Sequence, residues 1–332
     1  MTRREISLLF GGDYDRTRLL QDPEVAERNR LDVDITHFAT PHEVFHELTH
    51  SDRGDGGELS LSFYTTMMSH PDLRDRFVAL PVPVSRFFRH GNILVRRGAG
   101  IESAADLRGK TIGIPEYGTT MIVWLRGILA DEHGVLPHEI RWRAGRDPVA
   151  LAGEAVRYPP DVDIARAEST DLVGMLADGR LDAFIGMLPP QLPSGVERLF
   201  PDYGAVEREY FTRTGIFPIM HLLVLRREAV ERDPGMANAL YGACLDAKEK
   251  SLRILRNTGV LGVMLPWLLT AVDEQEAAMG GDLWPYGVEE LRPTTEKFIE
   301  YARDQGLLWN NDVTTDDLYL DLTVTAPSSG AR

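Results

Sequence analysis

Short apolar runs alternate with helix-like stretches along this chain, and that rhythm narrows its fold more than any other feature. ISLLF (6–10) reads as a buried strand, and LDVDITHF (31–38) as a second with alternating apolar and polar positions. PHEVFHELTH (41–50) reads as a short helix with Val44, Phe45 and Leu48 inward. GELSLSFYTTMMS (57–69) reads as a strand running into a helix, and RFVALPVPV (76–84) as another strand. TIGIP (111–115) and LDAFIGM (181–187) read as later strands. TMIVWLRGILADEHG reads as a helix ending at Gly134, DLVGMLADGR (171–180) as another, and the last third as mostly helical. Strand and helix in alternation predict a parallel sheet covered by helices, an α/β fold. At 332 residues the chain exceeds the usual size of one core, so two lobes are expected.

One near-duplication bears on where the lobes meet. Residues 90–97 read HGNILVRR and residues 221–227 read HLLVLRR. Each is a histidine, a short apolar strand and a pair of arginines, followed by a helix-type segment. Apart from chance, this predicts two strands lying side by side where the chain crosses between lobes. Lobe one would then hold residues 1–95 and 222–332, and lobe two residues 96–221. The tail ending TVTAPSSGAR is expected to be partly frayed.

Several functions are excluded or unsupported. A formal net charge of −15 argues against nucleic acid, whose phosphates need a basic field. An anionic small molecule needs only a few local cations. The single cysteine, Cys244, allows no internal disulfide, and its helical setting reads as a buried small residue. ISLLF is shorter than the ~7–15 apolar residues of a secretion signal. No run approaches the ~20 of a membrane span. The expectation is a cytoplasmic protein with no membrane partner; its oligomeric state stays open, a homo-oligomer included. Walker, G-x-G-x-x-G, C-x-x-C and G-x-S-x-G motifs are missing.

Residues 109–133, GKTIGIPEYGTTMIVWLRGILADEH, read as strand, tight turn and helix start. The first N–H groups of a helix lack internal partners and carry partial positive charge, so such a start suits an anion. Gly118, Thr119 and Thr120 are therefore either carboxylate ligands or a plain N-cap. Glu116 either holds an arginine or carries a proton. Arg86, Arg89 and His90 follow the end of a strand, where ligands of open α/β sheets collect, and Arg16 stands after the first strand with Asp13 and Asp15 to orient it. Ser60 and Ser62 alternate with Leu61 and Phe63, so either their hydroxyls share one strand face as hydrogen-bond donors to a ligand, or one of them is a plain cap. His42-Glu43-Val44-Phe45-His46 fits H-E-x-x-H, with His50 on the same helical face. The third ligand of a zinc protease would lie further on, so an amphipathic surface helix without metal is expected.

GDYDRT (12–17), GELSLSFY (57–64), PVPVSRFFRH (81–90), GIPEYGTTMIVWLRGILADEHGV (113–135), RLFPDY (198–203), RTGIFPIMH (213–221) and WPYG (284–287) together resemble the 4,5-dihydroxyphthalate decarboxylase family, in order along nearly the whole chain. The resemblance implies a two-lobed type 2 periplasmic-binding-protein-like fold with a ligand cleft between the lobes. It implies an enzyme that removes a carboxylate from a hydroxylated aromatic acid without an organic cofactor. Such chemistry needs a proton donor near the ring carbon that loses carbon dioxide, and cations for a carboxylate that stays. His90 and His221 are then the donor candidates, with Glu116 as the fallback. Arg16, Arg86 and Arg89 would clamp the substrate from lobe one, and Gly118, Thr119 and Thr120 from lobe two. Tyr14, Phe87, Tyr117 and Trp284 would line the ring-binding walls. Two other classes stay open: a non-catalytic solute-binding protein, and a chorismate-dehydratase-like lyase with Glu116 or Asp13 as base.

Overall fold

The computed structural model describes residues 3–147, 150–151, 154–155 and 158–322, so the tail at 323–332 lies outside the described residues. Its strands form two principal sheets. The first has the order Leu31–His37, Arg4–Phe10, Gly56–Ser60, Ile219–Arg226, Phe77–Arg86. The second has the order Asp163–Arg166, Arg141–Ala144, Thr111–Ile114, Ala183–Ile185, Ile93–Arg96, Val196–Arg198. The chain builds the first sheet, then the second, and returns to the first.

The two near-duplicate segments do not pair with each other, contrary to the sequence reading. Ile219–Arg226 lies in the first sheet, antiparallel to Gly56–Ser60 and Phe77–Arg86. Ile93–Arg96 lies in the second, antiparallel to Ala183–Ile185 and Val196–Arg198. Each is thus the reversed strand of its own sheet. The shared pattern marks an equivalent place in two sheets rather than adjacency, because an apolar core strand needs the same residues in either.

Arg4–Phe10, Gly56–Ser60 and Phe77–Arg86 run in the same direction, so Phe10, Ser60 and Arg86 end along one edge. Gly57 permits this pairing: it has φ 157°, and a Cβ there would stand 2.3 Å from the Leu9 carbonyl oxygen. The strand stops at Ser60, whose side chain accepts the Phe63 N–H and caps the helix Leu61–Ser69. Ser62 therefore sits in a helix, and the expected strand face shared by Ser60 and Ser62 does not exist.

The helix Thr120–His133 ends at Gly134 in the left-handed conformation, as the sequence indicates. Every residue from Thr120 to Leu129 is buried, so it is a core helix rather than an amphipathic one. The last long helix, Val288–Asp304, packs on it: Phe298 and Tyr301 meet the Trp124 ring. Arg126, wholly buried, donates to the Tyr117 carbonyl at 2.7 Å and to Gln305 Oε1 at 2.8 Å. Trp124 Nε1 donates to the Ile219 carbonyl at 2.9 Å. One apolar core thus runs from Leu9 and Leu59 of the first sheet through Trp124 to Ile112 of the second. Cys244 is buried in the helix Met236–Leu255, and burial pushes its thiol up to about 12.

Candidate active site

The first sheet's strand ends meet the start of Thr120–His133 across a cleft. The contact is polar and close: Ser60 Oγ lies 2.8 Å from Thr120 Oγ1, which also accepts the Ser62 N–H at 3.1 Å. Beside this contact lies a cavity of about 210 Å³. The helix Pro41–His50 contributes His42, Phe45 and His46; the Ser60 turn contributes Ser62 and Phe63; the facing side contributes Glu116, Gly118, Thr119 and Arg146. The volume lies below the ~300–1,000 Å³ of drug-sized sites and suits a single-ring ligand.

Just ahead of the helix start stands a carboxylate of the chain's own. Glu116 accepts the Gly118 N–H at 2.7 Å, the Tyr158 hydroxyl at 2.7 Å and the Thr119 hydroxyl at 3.3 Å. Thr120 is committed to Ser60 and Ser62. Glu116 thus takes up the Gly118 N–H and the Thr119 hydroxyl that the sequence reading offers to a ligand, both ahead of the first residue of Thr120–His133. Among the described residues, the hydrogen-bond partners of Glu116 are donors and none is an arginine.

A second buried carboxylate lies at the other side of Ser60. Glu58 is fully buried in Gly56–Ser60 and accepts the Gly11 N–H at 2.9 Å and the Tyr14 hydroxyl at 2.7 Å. Its Oε1 also stands 2.5 Å from His221 Nδ1. Burial pushes the Glu58 carboxyl up, but the hydrogen bonds from His221, Gly11 and Tyr14 outweigh it and hold the group below its ordinary value. Tyr14 is driven up by burial and by the Glu58 charge, so it stays a neutral donor. His221 pairs in register with Ser60, and its ring packs edge-on against Phe45 at 5.1 Å, which lines the cavity. An ionised Glu58 accepting at Nδ1 fixes the imidazole and leaves Nε2 for exchange.

The other expected groups are placed differently. Arg16 donates to the Val84 carbonyl and to Asp15, between the rings of Tyr14 and Trp284 at 4.7 and 4.2 Å. Trp284 Nε1 donates to Pro83 O. Arg86 is buried and turned to the Phe217 carbonyl, its Nη1 has no hydrogen-bond partner among the described residues, and burial lowers it to about 10. Arg89 lies over the exposed Phe87 ring and is lowered to about 10 by burial. His90 is buried against Tyr210 and Phe200, with Glu207 3.8 Å from its Nδ1. Tyr117 lies beneath the cleft with Arg126 over its ring at 3.4 Å. Of the expected residues, Ser60, Ser62, Glu116, Gly118 and Thr119 line the 210 Å³ cavity; Tyr14, Arg16, Arg86, Arg89, His90, Tyr117, Thr120, His221 and Trp284 do not.

Sequence reasoning missed Glu58, Arg146 and the cleft-facing histidines. Glu58 had a signal: an acid inside an apolar strand is either exposed or partnered. The H-E-x-x-H helix is amphipathic as expected, with Val44 and Leu48 buried, yet its other face looks onto the cavity. His42 Nε2 lies 3.0 Å from Arg146 Nη1, and the His46 and His50 rings stack at 4.3 Å. Among the described residues no three His, Cys, Asp or Glu side chains converge at metal-binding spacing. No helix among them is long and apolar enough to cross a membrane.

No family model matches the chain. It is 34% identical over 317 residues to a 4,5-dihydroxyphthalate decarboxylase of Comamonas testosteroni, covering 92% of this chain and 94% of that protein. It is 41% identical over 197 residues to one of Pseudomonas putida, covering 58% of this chain and 73% of that protein. Among solved structures, the periplasmic sulfonate-binding protein SsuA of Methylobacillus flagellatus KT superposes with a TM-score of 0.52 at 16% identity, over 96% and 92% of the two chains. A DSZB mutant in complex with biphenyl-2-sulfinic acid superposes at 0.50 and 16%, over 95% and 96%. These likenesses show a type 2 periplasmic-binding-protein fold.

Proposed function

Because this chain belongs to the 4,5-dihydroxyphthalate decarboxylase family, a family of carboxy-lyases, we propose that it decarboxylates a hydroxylated aromatic carboxylic acid of the 4,5-dihydroxyphthalate type, by ring protonation and without an organic cofactor. An aryl carboxylate does not lose carbon dioxide directly, because the departing pair would sit in the ring plane. A hydroxyl ortho or para to the carboxylate feeds electrons into the ring. The carbon bearing the carboxylate then takes a proton and becomes tetrahedral. The carbon–carbon bond breaks, its electron pair restores the aromatic ring, and carbon dioxide leaves. The balance is one proton in and one carbon dioxide out.

The observation that supports this reading is the Glu58–His221 pair, whose imidazole packs edge-on against Phe45 of the cavity lining. His221 delivers the proton from Nε2. Glu58 accepts at Nδ1, holds the ring in place and stabilises the charge before transfer. Phe45, edge-on to His221, limits water on that side, which favours loss of the leaving carboxylate. Of the two histidines that the sequence puts forward, His221 fits this role better, since His90 is enclosed by Tyr210 and Phe200. The test is carbon dioxide release from 4,5-dihydroxyphthalate in deuterated water, with the product examined by NMR. Release with one deuterium at the vacated ring position is expected, together with a fall of about 10²–10⁴ in turnover for His221→Ala. No release from any hydroxylated phthalate refutes the reading.

A further inference from the structure

We infer that Arg146 is the specificity-determining residue of this cleft, the cation that recognises a second carboxylate on the ring and so selects an aromatic ortho-dicarboxylate over a monoacid. The inference deepens the decarboxylase reading and rests on it for the substrate class. Arg146 is the arginine of the cavity lining, to which Arg16, Arg86 and Arg89 do not contribute. It is held there by its backbone: its N–H donates to the Pro115 carbonyl at 2.9 Å, tying the loop after Arg141–Ala144 to the end of Thr111–Ile114.

Its guanidinium meets no carboxylate at ion-pair distance among the described residues. The side chain it touches is His42, at 3.0 Å between Nη1 and Nε2. Burial, then the charge of Arg146 itself, pushes His42 below its ordinary value, so that ring is neutral and accepts from Arg146 through its lone pair. Glu116, the acid that shares the cavity, is already engaged by Gly118, Thr119 and Tyr158. A cation with a neutral partner at the mouth of a ring-sized cavity is suited to an anion that arrives with the ligand. That anion is not the carboxylate to be lost, because an ion pair would stabilise the ground state of the group that must leave neutral. It is the neighbouring carboxylate that stays, and the planar fork of arginine matches it with paired bonds.

The experiment measures binding of phthalate and of benzoate to the purified protein by calorimetry, for the wild type, Arg146→Gln and Arg146→Lys. The wild type is expected to prefer phthalate by roughly 10–100-fold, the span of a charge-assisted contact. Arg146→Gln should weaken phthalate binding by about that factor and lower the preference, and Arg146→Lys should keep part of both. A wild type with no preference, or an Arg146→Gln variant that keeps the wild-type ratio, overturns the inference. Both ligands lack the hydroxyls needed for turnover, so these arms read recognition alone. Failure to release carbon dioxide from dihydroxyphthalate refutes the decarboxylase reading and leaves this result standing.

Discussion

Replacing Glu58 by glutamine tests the proton-delivery unit while keeping its shape. The carboxylate takes hydrogen bonds from His221 at 2.5 Å, Tyr14 at 2.7 Å and Gly11 at 2.9 Å, all in a fully buried setting. Glutamine offers one oxygen, and its amide brings two donors into a pocket already made of donors. At least one partner is left unmet, and bonds to a charged group are each worth about 1.5–3 kcal/mol, so a stability loss of about 2–4 kcal/mol is expected. Turnover should fall by about 10²–10⁴, because His221 loses the acceptor that fixes its tautomer. KM should change little, since Glu58 touches His221 and not the substrate. Glu58→Asp should recover part of the rate.

Stability adds a pH signature. Glu58 is held below its ordinary value of 4.5, so the unfolded state binds the extra proton first. Its contribution is complete above pH 4.5 and is lost as pH falls through the lower folded value. Urea unfolding of the wild type should therefore weaken in that acid window more steeply than that of Glu58→Gln. Turnover of Glu58→Gln within about threefold of wild type would refute the pairing as a catalytic device. A parallel loss of stability at every pH would show Glu58 to be structural alone.

Three further outcomes follow from the packing and the cleft. Thr120→Val removes the Ser60 contact at 2.8 Å and leaves the buried Ser62 N–H without its acceptor, so urea unfolding should show a loss of about 1–3 kcal/mol. Gly127→Ala puts a methyl 2.3 Å from the Tyr301 ring and should cost about 1–3 kcal/mol, with faster hydrogen exchange in Val288–Asp304. A chelator should leave turnover unchanged; zinc-dependent restoration after chelation would refute this.

Legibility in the sequence followed the reach of each interaction. The buried runs ISLLF and TIGIP and the helix ending at Gly134 were readable because burial and capping are local. Arg141–Ala144 and Asp163–Arg166 went unread because both are short and half charged, RWRA and DIAR; neighbours in the sheet make them strands. LSLSF has strand alternation, yet the Ser60 cap turns it into a helix. The helix start was legible, but its occupant was not: whether Glu116 curls back onto Gly118 depends on the turn between them. The arginines were misplaced for a related reason. Long side chains select partners such as Val84 O and Phe217 O that a linear pattern does not reveal.

Glu116 has a consequence for turnover. A helix start with open N–H groups is a strong and undiscriminating trap for carboxylates. An enzyme that converts one aromatic acid into another would meet the same trap twice, once with substrate and once with product. Affinity gained equally by both slows departure without speeding the reaction. Here Gly118, Thr119 and Tyr158, at the approach to that start, already donate to the Glu116 side chain. The approach to the helix thereby offers fewer free donors to an arriving carboxylate.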